Sequence, residues 1–223
     1  MFRALRYPIV NLRTTFFRLF QWVCTVLLYY RNGAFFLTDC LLATQYFFQN
    51  PHSVSKSILK KWGAADLYTY GETPLTTLDK MARECQLLST DTVFELGCGT
   101  GRTIFWLAHF VGCKTVGIDL LPSFIKKAKR VQDWLSIPNV QFYEQDMLEV
   151  DLSVATFLYL YGTCLSEEFL HKLVPKFEKL KPGTRILSVS YPLTEYSNRF
   201  EVTKEFSARF PWGKAACFLN VLL

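Results

Sequence analysis

No acidic residue precedes Asp39 in this 223-residue chain. Arg3, Arg6, Arg13, Arg18 and Arg31 stand unopposed in that stretch, so most of the net charge of +6 sits at one end. An excess of that size does not imply a nucleic-acid ligand. With no long basic tail and no nucleic-acid module, direct nucleic-acid binding is not expected. No apolar run reaches the ~20 residues that span a bilayer. Residues 16–30 are apolar around most of their circumference, but only residues 19–30 lack charge, and Asn32-Gly33 breaks the run. No C-x-x-C pair occurs, and the seven cysteines are odd in number, which argues against a zinc site and a disulfide framework. Buried, reduced thiols in a reducing, cytoplasmic compartment fit best. No small-residue cleavage site follows the first apolar segment, which argues against a secretory leader. Internal repeats and low-complexity stretches are absent too.

What is present is organised around residues 92–101, Thr-Val-Phe-Glu-Leu-Gly-Cys-Gly-Thr-Gly. An apolar run with Glu95 near its end gives way to Gly97, Gly99 and Gly101, and a helical pattern follows. This order predicts a buried strand, a tight turn and a helix N-terminus. Glycine accepts positive φ and close ligand approach, and the helix start supplies free N–H groups. The spacing is G-x-G-x-G rather than the dinucleotide G-x-G-x-x-G. About 20 residues on, where a nucleotide-binding unit places its ribose-binding acid, Asp119 closes the apolar run Thr115-Val116-Gly117-Ile118.

Glu95, the glycine triplet and Asp119 in this register resemble motif I and the acidic end of the second strand of class I (seven-strand) S-adenosylmethionine-dependent methyltransferases. The resemblance covers roughly residue 70 to the C-terminus. It implies an α/β, doubly wound, Rossmann-like sheet of seven strands, parallel with a terminal antiparallel hairpin. It also implies S-adenosylmethionine as cofactor and in-line displacement at the sulfonium methyl. Gly97, Gly99 and Gly101 would admit the cofactor, Glu95 would orient its amino-acid end, and Asp119 would take the ribose hydroxyls. Asp146, just past the third strand at residues 140–143, would accept from the adenine amine, with Met147 packed on the ring; a helix cap is the other reading of Asp146.

Tyr70-Gly71-Glu72-Thr73, at its distance before Glu95, resembles the ligand-covering loop of the non-SET histone-lysine methyltransferases. By that resemblance Tyr70, Glu72 and Thr73 contact the methionine moiety. The bland alternative is a helix cap, with Thr73 as N-cap and Pro74 at N1 of a helix through Leu88. The apolar strand expected over residues 154–161 ends in Gly162-Thr163-Cys164, at the mouth of the cleft. Enzymes that methylate base amines often carry Asn/Asp-Pro-Pro-Tyr here, and this chain does not. The asparagines usual in the lysine family are missing as well. Tyr159, Tyr161 and Thr163, with Tyr70, remain the candidate substrate-facing or catalytic groups. No general base stands out: His109 reads as structural, and His52 and His171 lack context.

The organisation expected is a hydrophobic and basic helical extension (1–50), pre-domain helices with the covering loop (51–90), and the methyltransferase domain (91–223). The extension reads either as a peripheral membrane or partner contact or as helices packed on the domain. The leading function is methylation of a protein side chain, a lysine amine first, by an enzyme acting near a membrane, at its inner face, or on a membrane-associated protein. A small-molecule or lipid methyltransferase and an inactive cofactor-binding subunit are the competing readings.

Overall fold

The structure, a computed structural model, describes residues 6–63 and 70–223, with side chains described from Arg13 on. Arg3 and Leu67-Tyr68-Thr69 lie outside the described residues. The elements are α1 (Arg6–Cys24), continued by a π-helical turn (Thr25–Tyr29), then α2 (Gly33–Thr44), α3 (Pro51–Lys61), α4 (Leu75–Glu84), β1 (Thr92–Leu96), α5 (Arg102–Phe110), β2 (Lys114–Asp119), α6 (Pro122–Leu135), β3 (Val140–Glu144), β4 (Phe157–Leu160), α7 (Glu167–Phe177), β5 (Arg185–Val189), β6 (Phe200–Phe210) and β7 (Gly213–Leu222).

The seven strands form one sheet in the order β3-β2-β1-β4-β5-β7-β6. The first five are parallel, and β7 runs antiparallel between β5 and β6. Alternation along the strands sorts the core onto two faces. In β1, Val93 joins the cluster built with α4 and α5, while Phe94 and Leu96 join Val116, Ile118 and the α7 residues Leu170, Leu173, Val174 and Phe177. Parallel strands covered on both faces read as apolar runs, which is why β1, β2 and β4 were legible.

Several local expectations change. The apolar run 154–161 is a strand only over Phe157–Leu160; Val154 is 63 % exposed in the preceding turn. An apolar run does not reveal its own boundaries. α4 begins one residue later and ends earlier than expected, with Pro74 in extended backbone as its N-cap. Thr73 does not cap it: its hydroxyl bonds the Tyr159 hydroxyl instead, at 2.6 Å. Ser166 caps α7, its Oγ accepting from Phe169 N.

The N-terminal helices pack on the domain along one face. Phe35 is fully buried, and Tyr29 and Leu42 nearly so. Thr38 Oγ1 meets His109 Nε2 at 3.0 Å, which gives that histidine its structural role. Asp39, the lone acid of α2, forms a bidentate pair with Arg102 (2.7 and 2.6 Å) and accepts from the Tyr30 hydroxyl. The opposite face is exposed: Phe16, Leu19, Phe20, Leu27 and Leu28 of α1 and its π turn, then Phe36, Leu37, Phe47 and Phe48. No helix among the described residues is long and apolar enough to cross a membrane.

Candidate active site

The site grows from the turn between β1 and α5. Gly97 N and Cys98 N both donate to Ile118 O, at 2.8 and 2.9 Å, which ties the turn to β2. Gly97, Gly99 and Gly101 all have left-handed φ, +83°, +52° and +81°, a run that side-chain-bearing residues adopt only at a cost. Their surroundings differ. A Cβ on Gly97 would meet nothing closer than Met147 Cε at 4.0 Å, so this residue presents open backbone. A Cβ on Gly99 would fall 2.8 Å from the Tyr70 ring, which covers it. Gly101 is wedged under Phe142 and Ala128, at 2.6 and 3.2 Å from an added Cβ, so it serves the packing of α5 on β3 and α6.

Asp119, at the end of β2, points at the turn. Its Oδ2 accepts from Gly99 N and its Oδ1 from Leu121 N, both at 2.8 Å. Burial raises its pKa, and the two backbone donors oppose that. Gln145 N donates to the Asp119 carbonyl, which brings Asp146 just beyond the end of β3 beside it. Asp146 Oδ1 accepts from Leu148 N, so it does cap a turn. Met147 reaches back to Gly97. The open Gly97 backbone, Asp119, Asp146 and Met147 thus gather at the carboxyl ends of the first three strands, where open α/β sheets bind ligands.

Glu95 faces the other side of the turn and is 4 % exposed. Burial pushes its carboxyl well above the usual range; Thr103 opposes through a hydrogen bond and Asp119 adds to the rise. Its Oε2 has no partner. An unpartnered buried acceptor on a cavity wall calls for a cationic donor, and the ammonium of a methionine moiety is one. The residues therefore fit S-adenosylmethionine: Glu95 would hold the amino-acid end and Asp119 the sugar. Because the folded state raises this pKa, the ionised carboxyl destabilises the fold as pH rises above its unfolded value, and below that value the effect vanishes. Glu95→Gln is expected to raise stability at pH 7 by about 1–3 kcal/mol, with no gain below about pH 4. The same variant should weaken cofactor binding. Thermal melts at both pH values with calorimetric titration check this; a destabilised variant that binds normally would refute the assignment.

Residues 70–73 close over the turn. The Tyr70 hydroxyl donates to Glu72 Oε1, which also accepts from Thr100 Oγ1 at 3.3 Å. Thr73 is pinned to Tyr159. Tyr70, Gly71, Glu72, Thr73, Glu95, Gly97 and Gly99 all line a cavity of about 20 Å³. That holds a water, so the amino-acid end of the cofactor would fit beside Glu95 only with the loop lifted. Outside the loop lies a larger cavity of about 630 Å³. The two share Tyr70, Gly71, Glu72, Thr73, Arg102 and Tyr161, so the loop is the partition between them.

Tyr161 stands at that partition. Trp212 Nε1 donates to its hydroxyl at 2.8 Å, and Tyr161, Phe210 and Trp212 stack in sequence. Burial raises its pKa, with the Trp212 bond opposing, so the hydroxyl stays protonated. Tyr70 is raised in the same way by burial and then by Glu72. Thr163 is exposed and lines neither cavity. Arg102, Thr103 and Trp212 were not singled out from sequence; Tyr159 was, and it is fully buried, bonded to Thr73. A lone acid in an apolar helix needs a buried cation, and Asp39 could have pointed to Arg102; no local signal marks Trp212, 51 residues from its partner. Among the described residues no group of His, Cys, Asp and Glu could hold a metal, and all seven cysteines are free thiols.

This sheet order with a glycine turn and strand-end acids defines a Rossmann-like, seven-strand nucleotide-binding enzyme. The family described as "ANTKMT methyltransferase domain" matches residues 95–199. The chain is 30 % identical over 138 residues to a protein-lysine N-methyltransferase of Saccharolobus islandicus (strain REY15A), covering 60 % of this chain and 83 % of that protein. It is 26 % identical over 180 residues to the histone-lysine N-methyltransferase, H3 lysine-79 specific, of Dictyostelium discoideum, covering 74 % of this chain but spanning only 9 % of that relative's length. Among solved structures, an RNA methyltransferase from Salinibacter ruber in complex with S-adenosyl-L-homocysteine aligns with a TM-score of 0.57 and 27 % identity, over 68 % of this chain and 94 % of that one. The chain belongs to the class I S-adenosylmethionine-dependent methyltransferases, and its motifs are of the non-SET lysine methyltransferase type.

Proposed function

We propose that this enzyme methylates the ε-amine of a lysine in a protein substrate. The observation that carries the reading is the partition: a protonated Tyr161, held by Trp212, stands between the covered turn and an aromatic-walled cavity open to a side chain. The lysine specificity named for two relatives supports it. When bound, S-adenosylmethionine supplies the activated methyl group. The chain's part is to hold, orient and exclude water. The amine must arrive neutral, since an ammonium has no lone pair. Tyr70, Tyr159 and Tyr161 all have raised pKa values, chiefly from burial, so none is a base at neutral pH. The neutral Tyr161 hydroxyl, at the cavity wall, positions the amine. Desolvation in the cavity that Tyr161 and Trp212 line lowers the ammonium pKa and releases the proton to solvent.

Labelled methyl incorporation in whole lysate, resolved into protein, lipid and small-molecule fractions, tests this. Label in protein that hydrolyses to methyl-lysine is expected. Label in lipid or small molecules would favour the competing enzymatic reading, and none at all, with cofactor binding intact, an inactive subunit.

The exposed apolar face of α1 and α2 supports a second reading, that the enzyme works against a membrane surface or a membrane-embedded substrate. A contiguous exposed patch of this kind marks an interaction surface. Labelled protein would then collect in the membrane pellet of the same lysate; an even split between pellet and supernatant would remove the idea.

A further inference from the structure

We infer that the inner face of α1 forms one wall of the acceptor site and selects lysines flanked by acidic residues; the inference rests on the lysine reading above. Arg13, Phe17, Arg18, Gln21, Trp22 and Thr25 line the larger cavity. Their spacing is that of one helix face. The apolar residues Phe16, Leu19, Phe20 and Val23 fall between them and are exposed on another face. The helix therefore carries two surfaces, and only one looks onto the site. Across the cavity stand Tyr161, Trp212 and the loop that covers the glycine turn.

The wall is anchored. Thr76 Oγ1 donates to Gln21 Oε1 at 2.9 Å, and the Tyr29 hydroxyl bonds Asp79 and the Leu75 carbonyl at 3.2 and 3.3 Å. These contacts join α1 and its π turn to α4, whose start follows the covering loop directly. A segment held between α1 and Trp212 would therefore lie at a set distance from Tyr161.

The charge of this wall decides what it can hold. Arg13 and Arg18 make no ion pair with any described residue, whereas Arg102, which also lines the cavity, is neutralised by Asp39. Among the described residues Glu72 is the single carboxylate in the lining, and its Oε1 already accepts two hydroxyls. A cationic wall repels an ammonium, so it does not recognise the lysine itself. It attracts anionic groups beside the lysine, and it favours the neutral amine that transfer requires. Recognition is the larger effect: flanking carboxylates bring the segment in, and by pairing with the arginines they offset part of the push against protonation of the amine. Arginine also pairs carboxylates in a two-pronged geometry that lysine lacks.

The test uses the full chain and short peptides with one central lysine, flanked by aspartates, asparagines or lysines. Aspartate flanks are expected to lower KM about tenfold relative to asparagine, from two partly screened pairs. The advantage should shrink as salt rises, as screening requires. In Arg13→Glu/Arg18→Glu the preference should invert towards lysine flanks, with calorimetric cofactor affinity unchanged. Both arginines are exposed, so the variant is expected to fold. Transfer that ignores flank charge in both proteins would overturn the inference and leave the lysine reading standing. Transfer to no peptide would overturn the lysine reading and this inference with it. If the double variant keeps its peptide preference but no longer binds vesicles containing anionic phospholipid, the arginines serve a lipid surface and the inference fails.

Discussion

Asp119→Ala is expected to lower the affinity for S-adenosylmethionine by roughly 10²–10⁴-fold. The carboxylate would take two ribose hydroxyls, and charge-assisted hydrogen bonds contribute about 1.5–3 kcal/mol each. Their loss converts to that range of dissociation constants. Part of the effect comes through the protein, because the same carboxylate orders the turn by accepting from Gly99 N and Leu121 N. Without it, two backbone donors lose their acceptor. Asp119→Asn, which keeps the shape and one carbonyl oxygen, should fall between the two. Calorimetry with S-adenosylmethionine and S-adenosylhomocysteine, on protein of normal circular dichroism, decides the matter. Undiminished binding by the alanine variant would remove Asp119 from the cofactor site. Gly99→Val is a less clean probe, since the added side chain would strike the Tyr70 ring and strain a positive φ whatever the ligand.

Asp39→Ala is expected to destabilise the fold by about 2–4 kcal/mol, or roughly 10 °C in Tm. The pair joins α2 to the first residue of α5, directly after the glycine turn. The Asp39 side chain is 6 % exposed and that of Arg102 30 %, so solvent screens the pair little on one side and partly on the other. Removing the acid strands a guanidinium whose proton affinity is raised by Asp39 against the opposing effect of burial. The Tyr30 hydroxyl loses its acceptor as well. Asp39→Leu with Arg102→Met should recover most of the loss, because a buried ion pair replaced by apolar groups of similar shape is close to neutral. Denaturant melts of the three variants measure the coupling directly. An unchanged midpoint in the single variant would show that α2 is dispensable to the domain. The N-terminal helices are thus part of the scaffold that holds the cofactor turn, whatever else their outer face does.

The glycine turn and its two acids were legible because their constraints are local. Three left-handed residues in five need glycine, and a strand-end acid after an apolar run has few other uses. The terminal hairpin was expected from the family resemblance, and Pro211-Trp212-Gly213 marks its turn. The start of α4 was not: Thr73 is a good cap by type, but a hydroxyl 86 residues away holds it. The strand before Gly162 was overextended because an apolar turn and an apolar strand look alike in one dimension.

The sequence by itself determined the sheet and the turn, since backbone conformation and strand periodicity are written in neighbouring residues, and its family resemblance gave the class of cofactor. Only the tertiary structure decided which glycine faces ligand space, which tyrosine guards the partition and which face of α1 looks onto the site. Those depend on contacts such as Arg102 with Asp39 and Trp212 with Tyr161, between residues far apart along the chain. Their energy exists only once the sheet has brought them together, so no local pattern encodes it.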